Sequence, residues 1–199
     1  MQPLTLYRGR AISLPRDDVD TDQIVPAEFC KRLDKSGFQD ALFATWRIDP
    51  GFPLNDPARQ EATFLVAARN FGTGSSREHA VWALRDWGFR AVIASSFGDI
   101  FRRNALKNGV LPVELPAEAV QDLTSRVEAD PEFEITVDLE ACELRAAGRT
   151  YPFEVDQRAR WALLNGQDDI SLTLACDADI STYERTRPHW LPRTDTARL

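Results

Sequence analysis

The sequence predicts an α/β protein, a layered domain whose central sheet is mainly parallel and carries an antiparallel hairpin. Two patterns carry that expectation. Between Thr63 and Val113 short apolar runs of buried-strand type alternate with helical periods, and after Phe133 a strict two-residue alternation replaces them. At 199 residues the chain is long enough to bury one sizeable core without disulfides.

Residues 4–14 mix apolar and basic positions and read as a first strand, followed by an acidic turn from Arg16 to Asp22. Ile24 and Val25 open a short ordered stretch. From Lys31 to Ala62 the period is broken by Gly37, Pro50, Gly51, Pro53 and Pro57, so a long mobile loop is expected near 30–60. Thr63 to Ala68 form the next strand, then a glycine turn, then a helix from about Ser76 to Trp87 that Gly88 ends. Ala91 to Ala94 are a strand. Phe97, Ile100, Phe101 and Ala105 mark one face of a second helix, which Gly109 ends before the strand Val110 to Val113. Strand, helix, strand, helix, strand in this order argues for parallel crossovers.

After Pro116 another helix runs to about Glu128, with Val120, Leu123 and Val127 on one face. Phe133, Ile135, Val137 and Leu139 then alternate with Glu134, Thr136, Asp138 and Glu140, as in a strand with one wet face. A hairpin through Ala147-Gly148 returns along Tyr151, Phe153 and Val155. Asp156 caps a last helix containing Trp161, Leu163 and Leu164, which ends at Gly166. Residues 1–185 are expected to form one domain, and residues 186–199, rich in Pro, Arg and Thr, a C-terminal arm.

The formal charge of -7, from 24 basic and 31 acidic residues, argues against a general nucleic-acid binder, which needs a basic surface. No segment approaches the roughly 20 apolar residues of a membrane helix, and the first residues have no signal-peptide pattern, so a cytoplasmic location is expected. Cys30, Cys142 and Cys176 are far apart, odd in number and outside any CxxC pattern, as in reduced thiols. Closely spaced cysteines of the iron–sulfur type are absent. With only His79 and His189 as histidines, a self-contained zinc site is not expected either.

The stretch Asn70-Phe71-Gly72-Thr73-Gly74-Ser75-Ser76-Arg77-Glu78-His79-Ala80 lies between a buried strand and a helix. Two glycines let the backbone turn tightly, and the following helix presents free N–H groups and the positive end of its dipole, where anions bind. Arg77 adds a guanidinium able to hold a carboxylate through two parallel hydrogen bonds. Generic motifs do not account for the loop. A dinucleotide fingerprint needs glycine where Arg77 stands, a P-loop needs a GK[ST] ending, and the GxSxG elbow is missing. Ser75 to Glu78 also matches a capping box, in which serine and glutamate merely finish a helix end, and both readings stay open on the residues alone. A lone histidine such as His79 is more often structural than catalytic.

NFGTGSSREHA, followed by GFRAVIASSFGDIFRRNALKNGVLPVEL, is similar to the swivel domain of the aconitase family and, in detail, to bacterial small subunits of 3-isopropylmalate dehydratase. DVDTDQIVPAEF and the stretch from Gly37 to Arg47 extend the resemblance over nearly the whole chain. The resemblance implies a swivelling domain of layered β/β/α type and a hydro-lyase of leucine biosynthesis. In that reaction 2-isopropylmalate loses water to an alkene that is rehydrated to 3-isopropylmalate. It further implies that a 4Fe-4S cluster acts as the Lewis acid on a large-subunit partner, this chain binding no cofactor or metal. By the same resemblance Ser75 is the general base, Ser76 and Arg77 contact substrate carboxylates, and Asp22 supports the cluster of polar groups; the Gly74 amide is expected to bind there as an oxyanion donor. Without the family, Asp22 reads as a turn residue. Asn104 matches a family position and is expected to hold the loop.

Residues 29–37 correspond to the loop that distinguishes substrates in the family. Lys31 and Arg32 are expected to help bind a carboxylate, and Phe29 or Leu33 to meet the isopropyl group; a solvated basic loop explains the same residues. Related hydro-lyases acting on homocitrate, citraconate or dimethylmalate, and an anion-binding assembly module without turnover, are the competing readings.

Overall fold

The structure is a computed structural model describing residues 2–188 and 190–192. Its organising element is the first strand, β1 (Leu6–Leu14), because it joins the parallel and antiparallel halves of one seven-stranded sheet. The second half, Ala11 to Leu14, is buried and pairs in parallel with β2 (Phe64–Ala67). The first half, Leu6 to Arg10, pairs antiparallel with β5 (Glu134–Asp138). That division explains the mixed composition of residues 4–14. Arg8 and Arg10 lie on the wet half, where they pair with Glu134 and Glu132.

From β2 the parallel sheet continues through β3 (Ala91–Ala94) to β4 (Leu111–Glu114). Every residue of β2 and β3 is buried, since both faces of the sheet are covered. Phe64, Val66, Ala91, Ile93, Leu111 and Val113 point into one core cluster, and Leu65, Ala67, Val92 and Ala94 into the other. After the short α1 (Thr21–Ile24), the helix α2 (Glu78–Trp87) buries Ala80, Val81, Trp82, Ala83 and Leu84 on the second face. The next helix, α3 (Asp99–Lys107), adds Phe101 and Ala105 there. The opposite face receives Val120, Leu123 and Val127 of α4 (Ala117–Ala129), as their spacing predicts. Ile100 departs from expectation. It is 47% exposed, because the buried stripe of α3 is the narrower pair Phe101 and Ala105.

The antiparallel part holds three strands where a two-strand hairpin is expected. β5 pairs with β6 (Glu143–Ala146), and β6 with β7 (Arg149–Pro152). An additional tight turn after β5 makes the difference: Asp138 accepts the Ala141 amide at 2.9 Å, and Cys142 takes φ 54. Only the second turn, at Ala147-Gly148, carries a glycine that marks it in the sequence. The sheet order is β4-β3-β2-β1-β5-β6-β7, so the layered α/β class holds.

The segment expected as an open loop near 30–60 is largely packed. Phe38, Ala41, Leu42, Phe43, Phe52 and Leu54 are buried in the core cluster under α2. Between them the chain advances in short 3-10 turns, at Ala27–Lys31, Trp46–Ile48, Pro53–Asn55 and Pro57–Arg59. Glycine and proline break long periods but suit such turns, so burial here leaves no periodic trace. What stays uniformly exposed is residues 31–37. At the other end, Asp156 caps α5 (Gln157–Leu164), as expected, by accepting the Ala159 amide. Two further helices that the periodicity did not disclose, α6 (Asp169–Leu174) and α7 (Asp177–Thr186), follow without burying a residue. Of the C-terminal arm expected at 186–199, residues 189 and 193–199 lie outside the described residues. Among the described residues no helix is long and apolar enough to cross a membrane.

Candidate active site

Leaving β2, the chain reverses through three left-handed residues, Asn70 (φ 57), Gly72 (φ 74) and Gly74 (φ 88). Backbone bonds on both sides fix this turn. Phe71 donates to Ser96 O at 3.1 Å and accepts from the Gly98 amide at 2.9 Å. On the other side the amides of Gly72 and Thr73 reach Val19 O at 2.7 and 3.2 Å, and the Thr21 amide reaches Thr73 O at 3.0 Å. Gly72 is required by space as well as by φ. A Cβ there would sit 2.2 Å from Cγ of Phe101.

The acidic turn predicted at 16–22 does the holding. Asp17 accepts the Arg69 amide at 2.9 Å, and Asp18 accepts the Asn70 side-chain amide at 2.8 Å and a guanidinium N–H of Arg69 at 2.8 Å. The Asn70 hydrogen bond first, then the Arg69 charge, keep the Asp18 carboxyl below its ordinary range. Asp20 caps α1 through a capping box: it accepts the Gln23 amide at 2.8 Å, while its own amide donates to Gln23 Oε1 at 3.0 Å. This cap aims the first two residues of α1 at the glycine turn. Thr21 is buried, and its hydroxyl lies 2.8 Å from Ser75 O and 3.1 Å from Ser75 Oγ. Asp22 forms an ion pair with Arg77.

Gly74, Ser75 and Ser76 are exposed on the rim, and among the described residues their amides donate to no protein group. Three backbone donors, two hydroxyls and the guanidinium that Asp22 pairs with thus lie within four consecutive residues, the kinds of group that bind an anion. Of the residues singled out in the sequence, the structure brings together Asp22, Ser75 and Arg77, with Gly74 and Ser76 in the same turn.

The helix expected from Ser76 begins two residues later. Arg77 is the N-cap, in an extended conformation (φ -82, ψ 104), and no side chain caps α2. The capping box considered for Ser75 and Glu78 is not formed. Ser75 O is taken by the Arg77 amide at 2.8 Å, and Glu78 instead accepts from Asn108 Nδ2 at 2.7 Å. Asn108 also accepts from Trp82 Nε1 at 2.9 Å, tying α2 to the end of α3. Asn104 contributes its carbonyl to this junction, accepting from Asn108 at 2.9 Å. No motif marked Asn108, because its role depends on two helices meeting. His79 packs against Phe38 and Trp82, with ring centroids 5.4 and 4.7 Å away, and burial first, then Arg77, push its pKa down. It is a neutral packing residue at neutral pH.

In the segment 29–37, Arg32 is engaged within the loop. Its guanidinium forks onto Asp40 with both contacts at 2.7 Å, donates to Gly37 O at 2.9 Å and stacks over Phe29. A carboxylate ligand would have to displace Asp40. Lys31 is exposed, and Leu33 is 99% exposed at the tip. The base of the segment is fastened to α2, where Arg85 donates to Lys35 O at 2.6 Å and Asp86 accepts the Phe38 amide at 3.0 Å. Cys30 and Cys142 are half-buried and Cys176 exposed, on separate elements. Among the described residues no group of three or more His, Cys, Asp or Glu stands together to hold a metal, so these side chains do not fit a cluster site.

Comparison with known proteins matches residues 1–118 to the aconitase C-terminal domain and residues 121–157 to LeuD_N. A protein of Parafrankia sp. (strain EAN1pec) named 3-isopropylmalate dehydratase small subunit is 57% identical, over 98% of this chain and 100% of its own length. One of the same name from Streptomyces griseus is 57% identical over 99% of this chain and 100% of its own. Among solved structures, 3-isopropylmalate dehydratase (LeuD) of Methanocaldococcus jannaschii superposes with a TM-score of 0.68 at 29% identity, covering 89% of this chain and 98% of that one.

Proposed function

Since this chain belongs to the family of 3-isopropylmalate dehydratase small subunits, within the aconitase superfamily, we propose that its glycine turn is the proton-abstracting, carboxylate-binding wall of a hydro-lyase site. The large subunit that the family name implies completes that site and carries the iron–sulfur cluster. The reaction is the isomerisation of 2-isopropylmalate to 3-isopropylmalate by dehydration and rehydration in leucine biosynthesis, in the cytoplasm. Residues 1–185 act as one swivelling domain, with 29–37, within the segment near 30–60, as its substrate loop.

The observation that carries this reading is the meeting of Ser75, Arg77 and Asp22 at a turn where, among the described residues, the amides of Gly74, Ser75 and Ser76 donate to no protein group. A serine hydroxyl is a weak base in water and removes a proton from carbon only if its oxyanion is stabilised beforehand. The amides of the turn and the Arg77 guanidinium supply positive potential to Ser75 Oγ, which strengthens once a partner excludes water. Arg77 and the Gly74 and Ser76 groups hold a substrate carboxylate, fixing the acidic C–H against Ser75. Asp22 orients the Arg77 fork. Lys31 serves a second carboxylate, with Arg32 joining it only where that ligand displaces Asp40, and Leu33 meets the alkyl group.

The test is turnover of 2-isopropylmalate by this chain alone and after mixing with its cluster-loaded large subunit. Activity in the mixture only is expected; an assembled complex that turns over homocitrate or citraconate instead would assign the site to a related hydro-lyase, and one with no turnover to an assembly module. Arg77→Lys is expected to raise KM by about tenfold with little change in kcat, because an ammonium replaces a bidentate fork with a single point contact. Steady-state kinetics on the complex checks this split.

A further inference from the structure

We propose that Thr21 is a positioning residue for Ser75: a buried hydroxyl that gives its proton to the Ser75 carbonyl at rest and turns it onto Ser75 Oγ when that oxygen is negative. The inference rests on the reading of Ser75 as the base and deepens it.

The geometry is that of a two-position donor. Thr21 Oγ1 lies 2.8 Å from Ser75 O and 3.1 Å from Ser75 Oγ, yet a threonine hydroxyl has one proton. With Ser75 protonated, that proton rests on the carbonyl, and the Ser75 hydroxyl can donate to the lone pair that Thr21 turns toward it. With Ser75 deprotonated, the alkoxide is the stronger acceptor, and a charge-assisted O–H···O⁻ bond is about twice as strong as a neutral one. Rotation about the Thr21 Cβ–Oγ1 bond is all the change requires.

Two features keep the cost of that rotation low. Ser75 O also accepts from the Arg77 amide at 2.8 Å, so it is not left without a donor when Thr21 turns away. Thr21 is itself held at every other point: it is 2% exposed, its amide donates to Thr73 O at 3.0 Å and its carbonyl accepts from Val25 at 3.0 Å. Gly74 is called for by its φ of 88, while a Cβ there would meet Oγ1 of Thr21 only at an ordinary 3.9 Å. The donor is therefore in place before the reaction, which is what makes such a group effective. In the proton balance, the substrate proton passes to Ser75 Oγ, and Thr21 ends the step with the proton it began with.

The experiment compares Thr21→Val, Thr21→Ser and Ser75→Ala in the assembled complex. Thr21→Val, of nearly equal volume, is expected to lower kcat by about a hundredfold, the scale for a lost oxyanion donor, with KM changed less than about threefold. A less stabilised alkoxide has a higher pKa, so the rising limb of the kcat/KM pH profile should move to higher pH. Thr21→Ser restores the hydroxyl and should recover most of kcat and the original limb. If Thr21→Val does not fold, Thr21→Ala against Thr21→Ser gives the same comparison. Equal losses in the hydroxyl-bearing and hydroxyl-free variants, or an unmoved limb in the hydroxyl-free one, overturn the proposal for Thr21. Full activity in Ser75→Ala overturns the Ser75 reading beneath it, a separate outcome.

Discussion

Ser75→Ala is expected to lower turnover of the assembled enzyme by about a hundredfold or more, the scale for lost acid–base catalysis, while leaving folding and partner binding nearly unchanged. The structure makes the second half of that expectation sharp. Ser75 is exposed, and α2 is capped from Arg77 without any side-chain bond, so truncating Ser75 removes no helix cap. Truncation takes away only the 3.1 Å approach of Ser75 Oγ to Thr21 Oγ1, and the Thr21 proton keeps the Ser75 carbonyl as its acceptor. A stability change within about 0.5 kcal/mol is therefore expected, as for a surface substitution. Co-elution with the large subunit, a thermal melt and kcat measured on the same preparation separate the two effects. A lower melting temperature with full specific activity per folded molecule would show that the hydroxyl matters to the turn and not to the chemistry.

How far the sequence could lead depends on the distance over which each feature is decided. The strands Phe64–Ala67, Ala91–Ala94 and Leu111–Glu114 were legible because covering both faces of a parallel sheet demands a continuous apolar run. The glycine turn was legible because Gly72 and Gly74 take conformations that other side chains resist. Features settled by pairing across the chain were not. β1 joins the two halves of the sheet because Ala11 to Leu14 meet β2 and Leu6 to Arg10 meet β5, more than a hundred residues further on, and no local period encodes that split. The capping signature at Ser75 to Glu78 went unused because Asn108 captured Glu78 from another helix, whereas Asp20 and Gln23 formed a capping box that the acidic turn concealed. Ser75, Arg77 and Asp22 were named from a resemblance, yet their meeting rests on Val19 and Thr21 being zipped to the glycine turn by backbone bonds. Such long-range contacts are decided by the packed core, which is also why Asn108 and Thr21 escaped notice.

Gly72→Ala is expected to damage the fold far more than its single added methyl group suggests. Two costs add at this position. An alanine held at φ 74 is strained by about 1 kcal/mol or somewhat more, and overpacking of a filled core adds typically about 1–3 kcal/mol. The packing cost should lie toward the upper end. The new Cβ would meet Phe101 at Cγ, Cβ and Cδ2, at 2.2, 2.6 and 2.6 Å, close to its backbone rather than at a flexible tip. Phe101 has nowhere to retreat, being 2% exposed with the rings of Phe71 and Phe97 against it at 5.3 and 6.1 Å. The backbone of Gly98 closes the same space, since a Cβ on Gly98 would lie 2.6 Å from Gly72 O. Strain at this point must shift the turn that carries Ser75 and Arg77, so kcat should fall together with stability. Gly148→Ala is the control: φ is again 74, but nothing lies within 4 Å of the added Cβ, so only the backbone strain applies. At roughly 2–4 °C per kcal/mol for a domain of this size, the melting temperature should drop by about 10 °C for Gly72→Ala and by a few degrees for Gly148→Ala. Equal melting temperatures for the two variants would mean that Phe101 yields without cost, and the rigid support assigned to the glycine turn would then be wrong.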